Sequence, residues 1–474
     1  MTSATKGSTT LQYAASLSGT LAVICDGMHF GWASPSVPQF TNNATCTLCI
    51  TDSEGSTLAV MPLVGSIFGS LFAATVVDIF GRKRSQLATA IPFFFAWIAV
   101  AFCQNIYLLY FARFIAGGAG GFTFTVLPMY IGEIADAKVR GMLGSSCSVT
   151  WIAGFLIINV IGSYFTIKTT ALVSSVVPAL LFVTFLWMPE SPYYLLMKDK
   201  PEKAKRALER LKGTTDVGED LNRIRTAIQA EEKSHKGKFV DLYRVPSNRK
   251  AAIIAGGLRG FQQLAGTTAI AFYTHEIFET ATDRISNHHA VMIYYAIQLV
   301  LTSLSSSIVD RAGRRPLLLI SMAGAALALF VEGTYFYILN ETTIDTRPFS
   351  VVAVVGLLAF VILFGVGMQS IPVCMLGELF PTSVKAFALC LADLYFCVMA
   401  TVASKYLQIT KAKFGLHVSF YGFFVCAVMG LVFIYFFVPE TKGKTLEDIQ
   451  NELKNGTGMG VDKGSEDEKI SLKA

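Results

Sequence analysis

Long apolar stretches dominate this sequence and most constrain its fold. Only 15% of the 474 residues are charged, against about a quarter in a typical soluble domain. Each stretch has roughly the 20 residues that a helix needs to cross a bilayer. We therefore predict an all-α membrane protein with twelve transmembrane helices, near residues 11–33, 58–77, 86–104, 108–131, 143–166, 170–188, 250–275, 289–309, 316–339, 351–376, 386–409 and 416–438.

The stretches form two groups of six, separated by a polar segment. This predicts an N-terminal bundle (1–188), a linker (189–249), a C-terminal bundle (250–438) and a tail (439–474). In the linker, residues 201–211 and 221–232 have helical patterns, the first with Pro at a first-turn position and Gly213 after its end. The alternative is a flexible tether. In the tail, Thr445 predicts the start of a short helix, followed by disorder after Asn455.

The distribution of Lys and Arg predicts the orientation. With both termini cytosolic, the basic loops and the linker face the cytosol, as the positive-inside rule requires. The sequons at Asn43 and Asn340 then lie outside and are predicted glycosylation sites, whereas the one at Asn455 stays cytosolic. Residues 1–10 are polar and lead into a full-length span, so no cleaved signal peptide is expected. We expect a multi-pass protein of the plasma membrane.

Charged motifs recur at matching places in the two groups. The stretch from Asp78 to Arg84 returns as Asp310 to Arg315, in each case between two apolar runs. A carboxylate also precedes a cation by seven residues in both halves, and a Pro-Glu pair closes both halves: Glu133 with Arg140, Glu378 with Lys385, Glu190 and Glu440. Parallel repeats of six spans are typical of the major facilitator fold, with two pseudo-symmetric bundles and a substrate site between them.

Several motifs in this order resemble one family, the sugar porters of the major facilitator superfamily, to which glucose transporters belong. The resemblance covers nearly the whole chain, and Gly31–Pro35 is similar to the insect branch of facilitated trehalose and hexose transporters. It implies alternating access, most simply facilitative uniport of a hexose or trehalose. The motifs that carry it are Asp78–Arg84, Arg113 with its following glycines, Pro128–Glu133, Pro189–Pro192, Gln262–Gly266, Asp310–Arg315 and Pro439–Gly443.

The resemblance also implies a cytosolic gate. Ion pairs along one rim would hold the inner ends of the halves together while the protein is open to the outside. A network of such pairs can bias a two-state equilibrium even where each pair is weak. The alternative is that the charges only anchor the hairpins. The gate residues are Asp78, Arg82, Glu133, Arg140, Glu190, Asp310, Arg311, Arg314, Arg315, Glu378, Lys385 and Glu440.

Two adjacent amides, Gln262 and Gln263, mark the predicted sugar site in span seven. Amides inside an apolar span need polar partners, and their donors and acceptors suit sugar hydroxyls. Beyond them, Gly266 and Thr268 weaken the helix so that it can bend as an outer gate. Phe272 and Tyr273 are predicted to form its lid. The alternative is that the amides only join helices to one another.

Other pocket residues follow from the resemblance, by position in the chain. They are Phe30, Ser148, Trp151, Gln298, Phe364 and Gln369. The family often has Asn at Thr268, Gln at Ser148 and Asn at Gln298, and glucose transporters have Glu at Gly365. These departures predict a pocket with fewer amides and more width than a glucose pocket.

Energy coupling is open between two mechanisms. A proton symporter usually needs a titratable carboxylate inside the membrane, and Asp26 and Asp393 are the candidates for a proton site. Either could equally be a paired structural carboxylate. Uniport is favoured, proton-coupled symport is the alternative, and a transporter-like sugar receptor is the second alternative.

Enzyme motifs are missing from the sequence, which has no nucleophile elbow, HExxH or Walker loop. Cys46 and Cys49 are expected to form a local disulfide or remain thiols rather than bind metal. We expect no cofactor, no metal and no nucleic acid. The expected partners are a small-molecule sugar and the lipid bilayer, and the protein is expected to be a monomer.

Overall fold

The first half of the chain forms nine helices in a computed structural model that describes residues 9–41, 48–233, 240–281, 286–344, 349–442, 444 and 446–455. These helices are α1 (Thr10–Gly31), α2 (Ala33–Thr41), α3 (Asp52–Phe80), α4 (Arg82–Ala88), α5 (Ala90–Phe102), α6 (Ile106–Ile134), α7 (Ala137–Tyr164), α8 (Ile167–Ser174) and α9 (Val176–Phe185).

The linker and the second half follow with the same all-helical character. The linker contains α10 (Pro192–Met197), α11 (Pro201–Lys212), α12 (Gly218–Lys233) and α13 (Asp241–Arg244). The second half and tail contain α14 (Pro246–Leu264), α15 (Thr267–Phe272), α16 (Thr274–Ala281), α17 (Asn287–Ala312), α18 (Arg314–Glu341), α19 (Val351–Val366), α20 (Ile371–Leu379), α21 (Thr382–Phe414), α22 (Leu416–Phe437) and α23 (Leu446–Asn455).

Nine helical stretches in the described residues are long and apolar enough to cross a membrane, and each coincides with a predicted span. The other three predicted spans are also helical. The first is α1 and the eighth is α17, and both carry several polar residues. The seventh is divided into α14, α15 and α16. The prediction of an all-α membrane fold is thus confirmed.

Glycines allow α3 and α6 to pack closely. A Cβ on Gly117 would lie 2.1 Å from the carbonyl oxygen of Pro62, and one on Gly121 would lie 2.2 Å from that of Ser66. Lipid provides no hydrophobic drive between helices, so membrane helices associate through such close backbone contact. The glycines after Arg113 therefore have a packing role in the first half.

The two halves share an apolar core. We call the end that carries the linker helices the linker end, and the opposite one the far end. The apolar core of the second half takes in Phe30, Leu63 and Phe155 from the first half. Because α3 starts at the far end and α7 finishes there, these contacts place the shared core in the middle and far parts of the bundle.

The linker is fastened to the first half at α11. That helix ends at Gly213, which has a left-handed φ of 62°, a conformation that glycine adopts without strain. The Gln12 side chain donates hydrogen bonds to Asp136 Oδ2 (3.0 Å) and to the Leu211 carbonyl (3.3 Å). The linker helix is thereby tied to α1 and to the start of α7.

Candidate functional site

Span seven is broken at Gly266, beside the predicted sugar site. Gly266 has φ of +86°, and a Cβ there would lie 2.5 Å from a ring carbon of Phe423. Any other residue would meet both backbone strain and a steric clash. The break separates α14, which carries Gln262 and Gln263, from the short helices α15 and α16.

Gln262 is buried and its side chain is held by protein groups. Its Nε2 donates to the carbonyl oxygens of Met368 (2.6 Å) and Gln369 (3.2 Å), at the turn between α19 and α20. Its Oε1 accepts from Arg259 Nη1 at 3.2 Å. In this conformation the amide joins α14 to the turn, as in the alternative role considered for it, and one lone pair of Oε1 is left for a ligand.

Gln263 is less engaged than its neighbour. Its Oε1 accepts from Thr268 Oγ1 at 2.6 Å, across the helix break. No hydrogen bond of its Nε2 group is found among the described residues, so this group can donate to a ligand. On α17, Gln298 is half-buried.

Aromatic side chains from both halves meet at the middle of the bundle. The Phe30 ring lies 6.0 Å from Trp151 in its own half and 6.2 Å from Phe272 in the other. Tyr273 follows and is also buried. Ser148 is exposed one turn before Trp151 on α7.

The remaining predicted pocket residues lie around the α19–α20 turn. Phe364 is buried with its ring 5.3 Å from Phe360, and Gln369 contributes its backbone carbonyl to Gln262. The structure therefore brings Gln369 to Gln262, and Phe30 to Trp151 and Phe272. The Phe364 carbonyl accepts from the Gln369 backbone N–H at 3.1 Å. Among the described residues, no contact joins Gln298 to these groups.

Asp26 is a buried carboxylate in the first half. It is 2% exposed, and its Oδ2 accepts from Trp151 Nε1 at 3.0 Å. Its Oδ1 faces Gly120, where a Cβ would lie only 1.7 Å away. Among the side chains that the structure describes, none places a cation within ion-pair distance of Asp26. A buried carboxylate without a paired cation is unusual in a membrane and is a candidate for function.

Asp393, the other candidate proton site, is paired. Its Oδ1 lies 2.8 Å from Arg259 Nη2, and the side chains are 52% and 9% exposed respectively. The Arg259 guanidinium also stacks on the Phe396 ring at 4.9 Å. The alternative of a paired carboxylate therefore describes Asp393 in this conformation.

His275 joins the two halves at the far end. Its Nδ1 lies 2.9 Å from Ser34 Oγ on α2, and its Nε2 lies 3.1 Å from Ser163 Oγ on α7. Nearby, Lys405 of α21 donates to Thr57 Oγ1 of α3 at 3.0 Å. We call these contacts the far seam. Outside it, a groove of about 400 Å³ reaches inward as far as Tyr273 and His275.

The gate charges of the first half pair within that half. Arg82 contacts Asp78 Oδ1 and Glu133 Oε1, each at 3.0 Å, and Ser191 donates to the second oxygen of Glu133. Glu190 Oε1 accepts from the backbone N–H groups of Lys83 and Ser191, both at 2.9 Å. This carboxylate thus satisfies an otherwise unpaired donor at the start of α4.

The second half repeats this arrangement. Arg314 Nη2 lies 3.1 Å from Glu378 Oε1, and Thr441 donates to Glu378 Oε2 at 2.5 Å. Glu440 accepts from the backbone N–H groups of Arg314 and Arg315, both at 3.0 Å. Burial acts to raise the pKa of Glu440, but these backbone donors outweigh it and hold that pKa below its usual 4.5.

Three further gate cations bond to nearby backbone carbonyls. Arg140 donates to Ala135 at 3.1 Å, Arg315 to Tyr435 at 2.7 Å and Lys385 to Gly377 at 2.8 Å. The side chains of Asp310 and Arg311 lie outside the described residues. The ion pairs described at the linker end thus join residues of the same half, and pairing across the halves stays a prediction for the state that is open at the far end.

The predicted modification sites are only partly described. Asn340 is exposed near the end of α18, whereas Asn43 lies outside the described residues. Cys49 is disulfide-bonded, and Cys46 lies outside the described residues.

Sequence reasoning missed two residues that organise the site. Arg259 lies three residues before Gln262, and His275 lies two residues after Tyr273. Both are ionisable side chains inside or at the edge of an apolar span, and such residues are functional candidates by default. That signal was present and could have identified both.

Two six-span halves, joined by a helical linker and carrying matched charged motifs, define a major facilitator transporter. Among solved structures, the chain is similar to the xylose transporter XylE from E. coli in a partially occluded inward open conformation. The TM-score is 0.76, with 24% identity, over 92% of this chain and 100% of that one. This likeness confirms the fold.

Residues 11–453 match the family described as sugar (and other) transporter, and the chain belongs to that family. It is 32% identical to the facilitated trehalose transporter Tret1 of Polypedilum vanderplanki, over 93% of this chain and 88% of the relative. It is 31% identical to Tret1 of Drosophila mojavensis, over 93% of this chain and 51% of that longer relative. The predicted family is thus confirmed, and the protein is a transporter rather than an enzyme.

Proposed function

We propose that this sugar transporter is a facilitative uniporter for a hexose or trehalose. It works by alternating access across the plasma membrane, with the linker end in the cytosol. One observation carries the proposal: among the described side-chain contacts, the far seam joins the halves at the far end, while the amides and aromatic rings of the predicted site lie between that seam and the linker end. If the seam opened and the charges at the linker end paired across the halves, the same site would be exposed at the far end.

Two observations support a substrate as large as a disaccharide. Ser148, exposed on α7, places a short side chain where the family more often has Gln, which leaves room in the pocket. The curated relatives described above are named facilitated trehalose transporters. Trehalose is therefore the first sugar to test, with glucose and fructose beside it.

The test uses purified protein in sealed liposomes. Uptake of labelled trehalose, glucose and fructose is measured with and without an inward proton gradient. We expect equilibration to the same internal concentration in both conditions. Accumulation that requires the gradient would contradict uniport. Sugar binding without any flux would favour the receptor alternative.

Site variants test the assignment of the sugar pocket. Gln263→Ala removes an amide whose Nε2 group is available to a ligand, and Gln262→Ala removes the one beside it. Each loss of a polar contact to sugar should raise the KM for uptake about tenfold. Gln104→Ala, in an exposed loop, is the matched control. Unchanged uptake by both pocket variants would show that the site is elsewhere.

Proton-coupled symport is the second candidate, because Asp26 is buried and no described cation lies within ion-pair distance of it. Asp26→Asn keeps the acceptor for Trp151 but removes the titratable group. In a symporter, the variant would lose accumulation driven by the gradient while still exchanging sugar at equilibrium. In a uniporter, net uptake should stay within about threefold of wild type, since the amide replaces the same hydrogen bond.

A further inference from the structure

The uniport scheme proposed above gives no role to an ion pair inside the second half. Arg259 of α14 is 9% exposed and lies 2.8 Å from Asp393 of α21. Cys397, four residues further along α21 and therefore on the same face, lies within hydrogen-bond reach of Ser66 on α3 of the first half. The pair thus lies on the side of α21 that faces the other half, close to the proposed sugar site.

The pair continues into the sugar site through Gln262. Arg259 Nη2 binds Asp393, while its Nη1 donates to Gln262 Oε1 at 3.2 Å. The Nε2 group of Gln262 in turn donates to the carbonyls of Met368 and Gln369. A continuous chain of hydrogen bonds therefore runs from α21 through α14 to the turn between α19 and α20.

This chain determines the direction in which the Gln262 amide points. Backbone carbonyls only accept hydrogen bonds and a guanidinium only donates them. The amide nitrogen must therefore face the α19–α20 turn, and the amide oxygen must face Arg259. A ligand at Gln262 can donate a hydrogen bond to the free lone pair of the amide oxygen. It cannot accept one from the amide nitrogen, because both N–H groups already bond to backbone carbonyls.

We propose that Asp393, acting through Arg259, is a positioning residue that fixes Gln262 as a hydrogen-bond acceptor and so sets which sugars bind. The proposal rests on the proposed role of Gln262 in sugar binding. A preferred sugar must then direct a hydroxyl donor at Gln262. A fluorine atom at that carbon cannot donate a hydrogen bond and would be rejected.

Charge-neutral variants test the positioning role in the liposome assay. Asp393→Asn leaves the buried guanidinium without its anion, and Arg259→Gln leaves the carboxylate without its cation. Each single change should raise the KM for the transported sugar about tenfold, with the maximal rate within about threefold. In the double variant R259Q/D393N, no charge is left unpaired and the two introduced amides can bond to each other. The amide at position 259 is then held in place to donate to Gln262, so the KM should return to within about threefold of wild type.

The rescue separates positioning from general damage to the fold. If the pair served only packing, the double variant would be at least as impaired as the worse single variant, and that result would overturn the proposal. A wild-type KM in Asp393→Asn would overturn it too. Arg206→Gln, an exposed arginine on α11, is the control and should leave the KM unchanged. Failure of the wild-type protein to move any of the three sugars would instead contradict the proposed function.

Fluorinated sugars test the acceptor directly. Deoxyfluoro derivatives of the transported sugar are used as competitors of labelled uptake, one position at a time. One position should show about a tenfold weaker competition than the parent sugar, and Gln262→Ala should remove that difference. Equal competition at every position, or a difference that persists in Gln262→Ala, would contradict the assignment of Gln262 as an acceptor.

Discussion

His275 offers the sharpest test of the far seam. Its two ring nitrogens bond to Ser34 and Ser163, which belong to the opposite half. In His275→Ala both hydrogen bonds are lost. At about 1 kcal/mol of net stabilisation for each bond, the far-closed state loses about 2 kcal/mol. Two states of a transporter differ by only a few kcal/mol, so this loss should shift their ratio about 30-fold toward far-end opening.

The assay is a distance measurement between spin labels at the far end. Cysteines introduced at Lys168 and Glu341, which are exposed in the first and second halves, carry the labels in a chain whose reactive native cysteines are replaced by serine. We expect a single short distance before the change. His275→Ala should add a longer component or replace the short one.

His289→Ala is the matched control, since this histidine is exposed close to the same end. It should leave the distance distribution unchanged. The reasoning is refuted if His275→Ala folds, as judged by its melting curve, and keeps the short distance alone. An equal shift in His289→Ala would show that the effect does not come from the seam.

Two further predictions concern stability, measured by thermal melting in detergent. Gly120→Ala should destabilise the protein by about 1–3 kcal/mol, because the added Cβ overpacks against Asp26. Gly132→Ala is the control, since no atom lies within 4 Å of its added Cβ. Equal destabilisation by the two variants would contradict the close contact at Gly120. Glu440→Gln should lower the melting temperature at pH 7, because the lowered pKa of Glu440 means that its carboxylate stabilises the fold above pH 4.5. The difference in melting temperature should vanish as the pH falls through the lowered pKa of Glu440. A difference that persists in acid would show another cause. Glu202→Gln, on the exposed face of α11, is the control, and an equal effect there would also show another cause.

The spans could be predicted because the bilayer imposes a length on every apolar helix. The break in span seven was also foreseeable, because Gly266 and the threonines after it mark a weak point in an apolar run. Although α1 and α17 carry several polar residues, the sequence still predicts both as spans. Most residues of α1 are buried against other helices, so its polar groups meet protein rather than lipid.

The use of Gln262 could not be read from its own neighbourhood. Two adjacent amides predict polar partners, but the carbonyls that hold Gln262 lie more than a hundred residues away in the chain. They become acceptors only because the helix stops between α19 and α20. The partner choice of Arg82 and Arg314 is equally hidden, since a sequence matches acids with bases but does not say which conformation is present.

The chemistry of the far seam has a consequence for the medium in which the protein works. Hydroxyls, an imidazole and a lysine bound to a threonine hydroxyl join the halves there, and none of these described contacts pairs opposite charges. Dissolved ions screen exposed charge pairs over about 8 Å at physiological ionic strength. Salt on the far side should therefore leave the contacts of the far seam almost untouched, whereas salt on the linker side would act on the ion pairs there. A change of ionic strength should thus act on the linker end more strongly than on the far seam.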